Sequence, residues 1–452
     1  MEQFDGDEDK LMAWAKKQAA KETELYKQLT GKISVEFSKA ATIPMNERRS
    51  FNVGYLFLQK LCTQLRLDKV CRTIKSRHKF KYDLNAILID LVYARILSPA
   101  SKLVSYEYCQ SLLEPPKYSL QDLYRSLSVI AEESDFIQGE LYKNTNFLRP
   151  RNARILYYDC TNYYFEIEEE DDFRRYGKSK ENRPNPIVTM GLFLDADGLP
   201  LAFDIFPGNQ NEQTTLKPLE SKILQDFNCS EFIYCSDSGR GSSSNRRFNS
   251  LGNRAYIITH SLKKMKKEDR EIALNPTQFR RMESDKFIDI RTLDESDEET
   301  YNTIYYKEVP VVTGNMDETL IVTYSPKYKV YQRKIRARQI ERAERMITTP
   351  GHKRKDRIKA HFMTSYISLL LYRLLEKKLG DIYTTYQILE TLRSMQMTLL
   401  NTSSGYIPSY TRTELTDVLH KTFDFRTDYE LITKVSMRTP IKDTKQIKSK
   451  LK

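Results

Sequence analysis

The sequence predicts a mixed fold that combines α+β and α/β parts, with a sheet in the middle of the chain and helical regions before and after it. Apolar residues recur at helical spacing over residues 53–149, whereas short β-branched and aromatic runs bounded by turn residues begin at Ala153. The chain has 452 residues, of which 40% are hydrophobic and 30% are charged. This length and composition are typical of about two to four globular domains.

Composition also bears on the compartment. No apolar run reaches the roughly 18 residues of a membrane-spanning helix, and the first residues are charged rather than apolar. The six cysteines form no C-x-x-C pair, and the five histidines are scattered. We therefore expect a cytoplasmic protein with reduced thiols, no membrane partner and no structural zinc site.

The sheet region has an informative order of elements. "ARILYY" predicts a strand that ends at Asp159, "NYYFEI" predicts a second strand, and "PIVTMGLFL" and "LPLAFDIF" predict two more around the turn "DADG". A helix, the strand "EFIYCSD" ending at Asp237, a second helix and the strand "RAYIIT" follow. Antiparallel strands first and α-β-α-β afterwards is the order of a ribonuclease-H-like mixed sheet.

The two aspartates are the candidate chemistry of this sheet. In such a sheet the first strand and the strand that ends at Asp237 are parallel neighbours, so Asp159 and Asp237 meet at one edge. Two adjacent carboxylates repel each other unless a cation lies between them, and oxygen ligands select Mg²⁺ or Mn²⁺. Two such ions roughly 3.5–4 Å apart can drive hydrolysis or strand transfer at a phosphodiester. The simpler alternative is that Asp159 is a turn residue.

Positive charge is concentrated in one block. Between Lys327 and Lys359 there are thirteen Lys/Arg and three Asp/Glu, which accounts for most of the net charge of +12. Such a block favours a polyanionic partner, and a solvated helix face is the alternative. The segment "RTIKSRHKFK" (residues 72–81) is a second basic stretch that could contact phosphate.

Three blocks carry a family resemblance: "YYDCTNYYFE", "RRYGKSKENRPNPIVTMGLFLDADGLPLAFDIFPGNQNEQTTL" and "YCSDSGRGSSSNRRF". They resemble the catalytic core of bacterial insertion-sequence transposases of the DDE class, in the branch whose third acid lies in a Tyr-Arg-Glu-Lys signature. The resemblance covers most of the chain after the first fifty residues or so. It implies that Asp159 is the first acid, that Asp237 is the second, and that Mg²⁺ (or Mn²⁺) supports DNA strand cleavage and transfer.

The same resemblance implies double-stranded DNA as the partner, in the form of transposon terminal inverted repeats and target DNA, with a homodimer as the assembly and the nucleoid as the location. The DNA-binding side chains expected on this basis are basic or aromatic and lie near the acids or in the basic block: Tyr176, Lys178, Lys180, Arg183, Arg240, Arg333, Arg336, Arg338, Lys353, Arg354, Arg357 and Lys359.

The third acid departs from the family pattern. The signature places Arg four residues before the Glu and Lys seven after it, and no glutamate in the C-terminal half fits. The short stretch "TTPGHKRKD" joins segments that the family separates by a much longer one, so we infer an internal deletion that removes the third acid. Glu341 and Glu344 are the remaining candidates for a substitute.

Three functions therefore stay open: a transposase with impaired cleavage, a catalytically inactive DNA-binding remnant or inhibitor, and a ribonuclease-H-like nuclease. The predicted organisation is a polar N-terminal segment (1–50), a helical domain expected to bind DNA (51–150), a ribonuclease-H-like catalytic core (151–261), a β-rich insertion (262–330) and a C-terminal region with the basic helix, remaining core helices and tail (331–452).

Overall fold

The structure is a computed structural model that describes residues 8–30, 35, 40, 42–167, 169–177, 184–227, 231–237, 242–262, 265–282, 284–313, 316–329, 355–400 and 405–447. Its internal contacts divide the chain into two compact units. One unit comprises Met1–Lys60, Glu107–Pro115 and Ile382–Lys452, and the other comprises Leu61–Tyr106 and Pro116–Asp381. The five domain ranges expected from the sequence stay a prediction.

The helices are numbered in chain order. They are α1 (Glu8–Thr30), α2 (Tyr55–Gln64), α3 (Leu67–Arg77), α4 (Leu84–Leu97), α5 (Lys102–Cys109), α6 (Leu120–Glu132), α7 (Ser134–Leu148), α8 (Glu212–Asp226), α9 (Ser243–Asn249), α10 (Lys267–Leu274), α11 (Glu298–Asn302), α12 (Lys355–Lys378), α13 (Thr385–Ser394), α14 (Glu414–Phe423) and α15 (Lys434–Thr444). None of these described helices is long and apolar enough to cross a membrane.

The strands are likewise numbered in chain order. They are β1 (Ser50–Asn52), β2 (Ile155–Tyr164), β3 (Ile187–Asp195), β4 (Pro200–Pro207), β5 (Ile233–Ser236), β6 (Ala255–Ile258), β7 (Tyr305–Thr313), β8 (Met316–Tyr324), β9 (Gln396–Leu399) and β10 (Tyr406–Pro408). A three-stranded sheet of order β1-β9-β10 belongs to the first unit, a five-stranded sheet and the β7-β8 hairpin to the second.

Local capping explains where the helices before the sheet begin. Asp83 accepts a hydrogen bond from the backbone N–H of Ala86 at the start of α4. Ser119 and Asp122 form a reciprocal capping box at the start of α6, as the spacing predicts. α4 ends at Leu97, just before the Ser98-Pro99 pair, because proline disfavours a helical conformation in the residue that precedes it.

The five-stranded sheet has the order β4-β3-β2-β5-β6. β2 pairs antiparallel with β3, and β3 pairs antiparallel with β4. β2 also pairs parallel with β5, and β5 pairs parallel with β6. This is the mixed order of a ribonuclease-H-like sheet, so the predicted fold class is confirmed.

The predicted break after Asp159 is wrong. β2 runs without interruption from Ile155 to Tyr164 and pairs with β3 along its whole length, from Leu156↔Asp195 to Tyr164↔Ile187. Asp159 therefore lies in the middle of a long strand rather than at its carboxyl end. The hydrogen bonds to β3 outweigh the weak strand preference of the aspartate and asparagine in this run.

Helices cover both faces of the sheet within the second unit. On one face, Leu156, Tyr158 and Tyr234 form a core cluster with Leu216 and Leu219 of α8. On the other face, α12 packs over β2 and β4. The Phe362 ring lies 4.8 Å from that of Tyr163 and the Tyr366 ring 5.2 Å from that of Phe203, and the Tyr366 hydroxyl donates to the carbonyl of Leu201 at 2.9 Å.

The region after the sheet is only partly β-structured. β7 and β8 pair over nine residues each, as the alternating pattern predicts. Within the predicted β-rich insertion, the segment "KFIDIRTL" (residues 286–293) forms a single β-bridge from Ile288 to Phe279 and then a 3₁₀ turn at Ile290–Thr292. Asp289 explains the difference, because its side chain accepts from the backbone N–H of Arg291 at 3.0 Å and caps the turn.

Candidate functional site

Strand pairing brings the two predicted acids together. β2 and β5 are paired in parallel from Ile155↔Ile233 to Tyr157↔Cys235. Continuing that register by two residues places Asp159 opposite Asp237, the residue that directly follows β5. Paired strands lie about 4.8 Å apart and opposed residues point to the same face. The described pairing ends two residues before the acids, and its register, carried on, sets both carboxylates on one face of the sheet.

That face is open to solvent at the acids. Leu156, Tyr158 and Cys160 are buried on the α8 side, whereas Asp159 lies on the opposite side and is exposed, and so is Asp237. Two exposed carboxylates side by side are hard oxygen donors, which fit Mg²⁺ or Mn²⁺ with water completing the coordination.

A third ligand is not found in the part of the chain that the structure describes. Within those residues no group of three or more His, Cys, Asp or Glu side chains is arranged to hold a metal ion. The two glutamates considered as substitutes, Glu341 and Glu344, lie outside the described residues. Two aspartates are therefore the acid set that the described structure offers.

A cavity of about 520 Å³ lies along the same face of β2. Thr161, two residues further along the same face of β2, lines it, and so does Leu192, which is the direct cross-strand partner of Asp159. The wall is mainly aromatic and aliphatic, and it includes one arginine, one histidine and one glutamate. Its other members are Arg95, Tyr163, Tyr164, Phe165, Glu166, Met190, Ile358, His361, Phe362, Ser365, Tyr366 and Leu369.

Sequence reasoning missed this cavity. Arg95 comes from α4 and His361 from α12, so no local motif joins them. Burial raises the pKa of Tyr163 above its ordinary value, and Arg95 opposes that shift, which places the guanidinium near the phenol. The apolar stripe of the helix at 355–378 is the sequence signal that bears on this cavity, and the same stripe is equally consistent with a helix packed in the hydrophobic core.

The acid run that follows β2 is held by its own arginines. Glu170 accepts from the backbone N–H of Tyr176 at 3.1 Å and from Arg175 at 2.9 Å, and these bonds lower its pKa. Burial would raise the pKa of Asp171, but hydrogen bonds from Arg174 and from the backbone of Phe173 outweigh it and lower that pKa. The carboxylates of Glu170 and Asp171 thus have hydrogen-bond partners within their own loop and need no metal ion to balance their charge.

Two glycines of the resemblance blocks have a packing role. A Cβ on Gly177 would lie 2.0 Å from the carbonyl oxygen of Gly208, and a Cβ on Gly208 would lie 2.2 Å from that of Ile187 and 2.4 Å from that of Arg175. Backbone approaches backbone here, so no side chain fits. The neighbouring Tyr176 keeps 46% of its surface exposed.

The other predicted DNA-binding residues divide in two groups. Arg357 is exposed and Lys359 is half-buried in the first turns of α12. The remainder lie outside the described residues, so their role stays a prediction: Lys178, Lys180, Arg183, Arg240, Arg333, Arg336, Arg338, Lys353 and Arg354.

A buried carboxyl supports α9, the helix that begins shortly after Asp237. Glu220 of α8 is fully buried and accepts from the side-chain amide of Asn249 at 2.8 Å, while its second oxygen has no hydrogen-bond partner among the described residues. Burial raises the pKa of Glu220 from 4.5 to about 7, against the opposing effect of Asn249. The site thus favours the protonated form.

This carboxyl predicts a pH dependence of stability. Because the folded pKa is raised, the contribution of Glu220 to the free energy of unfolding is highest below pH 4.5 and falls as the pH rises toward about 7. Glu220→Gln should remove that fall, a gain on the order of 2–3 kcal/mol relative to the wild type at pH 8 but not at pH 4.5. Urea unfolding midpoints at both pH values test this. Equal pH dependence in the two proteins would contradict it.

The fold and the acid pair together define a class of protein: a ribonuclease-H-like sheet with two neighbouring aspartates on an open face. No protein-family model and no curated protein matches the sequence.

Comparison with solved structures gives distant likenesses. The piggyBac transposase synaptic complex with hairpin DNA aligns over 88% of this chain and 85% of that chain, with 10% identity and a TM-score of 0.36. The Mos1 mariner paired-end complex with Mn aligns over 53% of this chain and 66% of that chain, with 12% identity and a TM-score of 0.18. At these scores the likenesses assign neither a family nor an activity to this chain.

Proposed function

We propose that this chain is a transposase of the DDE class by descent, which binds duplex DNA and uses Asp159 and Asp237 to hold Mg²⁺ (or Mn²⁺) for DNA strand cleavage and transfer. The observation that supports this most directly is the parallel register of β2 and β5, which, continued by two residues, sets the two exposed acids opposite each other. A bound divalent ion activates an attacking oxygen and stabilises the leaving oxygen of a phosphodiester.

The chain's own residues supply the rest of the site. β2 is held by β3 on one side and β5 on the other, so Asp159 is fixed in a paired strand. The closely packed glycines Gly177 and Gly208 hold the backbone beside the exposed Tyr176. Rigid placement of ligands and of the DNA strand is what cleavage by a metal ion requires.

Activity is expected to be impaired, since two acids hold a metal pair less completely than three. The loss of one ligand costs several kcal/mol of transition-state stabilisation, on the order of a thousandfold in rate. The finer expectations are that the DNA partners are terminal inverted repeats and target DNA, that the protein is a homodimer, and that it acts at the nucleoid.

Nicking of supercoiled plasmid tests the proposal. Purified full-length chain with Mn²⁺ should convert supercoiled DNA slowly to the open circle, and Asp159→Asn should abolish the conversion. DNA binding without any metal-dependent nicking would instead favour an inactive DNA-binding remnant or inhibitor. Preferential cleavage of an RNA–DNA hybrid would favour a ribonuclease-H-like nuclease.

A further inference from the structure

A second basic segment lies far from the acids in sequence. The apolar residues of α3, including Val70, Cys71 and Ile74, are buried, and its opposite side exposes lysine and arginine. The chain then continues through residues 78–82 to α4, with Lys79 and Lys81 exposed. The exposed charges of the helix and loop are mostly positive, and the exposed acid of α3, Asp68, is paired with Arg72 at 2.7 Å.

One acid holds this loop in place. Glu133 accepts from Arg77 at 3.0 Å and lies 2.8 Å from the ring nitrogen of His78. In the same loop, the rings of Phe80 and Tyr82 are stacked with centroids 4.4 Å apart and an interplanar angle of 9°. These contacts therefore stabilise the loop. Its two lysines, Lys79 and Lys81, are exposed.

α6 connects this loop to α12. Arg125 is exposed over 62% of its side chain and lies 3.9 Å from the carboxylate of Asp122. Burial and then Asp122 raise the pKa of Tyr82, and Arg125 opposes that shift. Its neighbour Tyr124 lies under the guanidinium of Arg357, 5.1 Å from the ring centroid. The Ser128 hydroxyl, one turn further on, donates to Asp356 at 2.7 Å.

The acids that border this surface are already engaged. Asp122 belongs to the capping box of α6, Glu133 is paired with Arg77 and His78, and Asp356 accepts from Ser128. Positive charge is thus the exposed character of a surface built from three elements that are distant in sequence.

We propose that Lys79, Lys81, Arg125 and Arg357 form one basic face that binds the sugar–phosphate backbone of duplex DNA. The occupant follows from charge complementarity: exposed cations on a braced surface attract the phosphates of a duplex, and such contacts position a duplex without reading its sequence. The proposal rests on the proposed function and names the surface through which the chain holds the DNA.

Salt dependence of binding tests this basic face. Each phosphate contact contributes about 0.9 to the slope of log affinity against log salt concentration. The variant Lys79→Gln, Lys81→Gln, Arg125→Gln, Arg357→Gln should lower that slope by about 3 to 4 on a labelled duplex, equally for unrelated sequences. A matched control, Lys266→Gln, Lys267→Gln, Lys286→Gln, Lys421→Gln, removes the same charge from exposed lysines elsewhere and should leave the slope nearly unchanged.

The outcomes separate this inference from the proposed catalysis. An unchanged slope in the first variant, an equal fall in the control, or a wild-type chain that does not bind duplex DNA would overturn the basic face. If the wild-type chain does not nick plasmid but the first variant still shows the expected fall in slope, only the proposed cleavage is overturned. Mn²⁺ binding by the first variant should equal that of the wild type, which shows that the sheet is folded.

Discussion

Asp159→Asn is expected to weaken Mn²⁺ binding by tenfold or more, and Asp237→Asn should have the same effect. The register of β2 and β5, continued by two residues, sets these two carboxylates opposite each other, and each supplies a formal charge that an amide lacks. A tenfold loss corresponds to about 1.4 kcal/mol. Titration calorimetry with Mn²⁺ measures it without any need for DNA or turnover.

The double variant sharpens this test. If one ion contacts both carboxylates, Asp159→Asn with Asp237→Asn should weaken Mn²⁺ binding by less than the two single effects combined, because the two carboxylates act on the same ion. Asp172→Asn is the matched control, since Asp172 is fully exposed in the acid run and its loss should leave the affinity unchanged. Wild-type affinity in Asp159→Asn would remove this pair as a metal site.

Arg151→Met is expected to destabilise the sheet by about 3–5 kcal/mol. Arg151 and Asp195 form an ion pair in which both side chains are almost completely buried. Arg151 also donates to the carbonyls of Leu199 and Pro200, each at 3.1 Å, and so fixes the turn between β3 and β4. Removing the guanidinium leaves a buried carboxylate without its partner, which costs more than the pair contributes.

Hydrogen exchange of the β3 and β4 amides gives the local measurement, because the chain has two units and need not unfold in one step. Asp195→Asn keeps an acceptor for the backbone N–H groups of Asp197 and Leu199 while removing the charge. Combined with Arg151→Met, it should recover part of the lost protection. A double variant that exchanges faster than Arg151→Met alone would contradict the ion-pair account.

Much of the fold follows from local sequence. The order of apolar runs predicts the mixed sheet, and the spacing of Ser119 and Asp122 predicts the start of α6. The continuity of β2 is not predictable in this way. Asp159 and Asn162 look like turn residues, and only the pairing with β3, which is formed by residues more than twenty positions away, keeps them in a strand.

The candidate site, like the fold, can be predicted only in part from local sequence. Asp159 and Asp237 can be picked from sequence because each follows an apolar run, but their roles stay predictions. Arg95 and His361 cannot be picked, since they line one cavity only after α4 and α12 pack in the same unit. No sequence motif predicts that Arg357 lies over the ring of Tyr124, the neighbour of Arg125.

The parallel pairing of β2 and β5 has a consequence for how the chain tolerates change. Strand register has a period of two, so a slip of β5 by one residue would turn Asp237 toward the α8 side, among Leu216 and Leu219. Insertions in the connection before β5 need not move the acids, whereas one residue added inside β5 would separate them. Because register changes only in steps of one residue, the separation of the two acids changes in steps and not gradually.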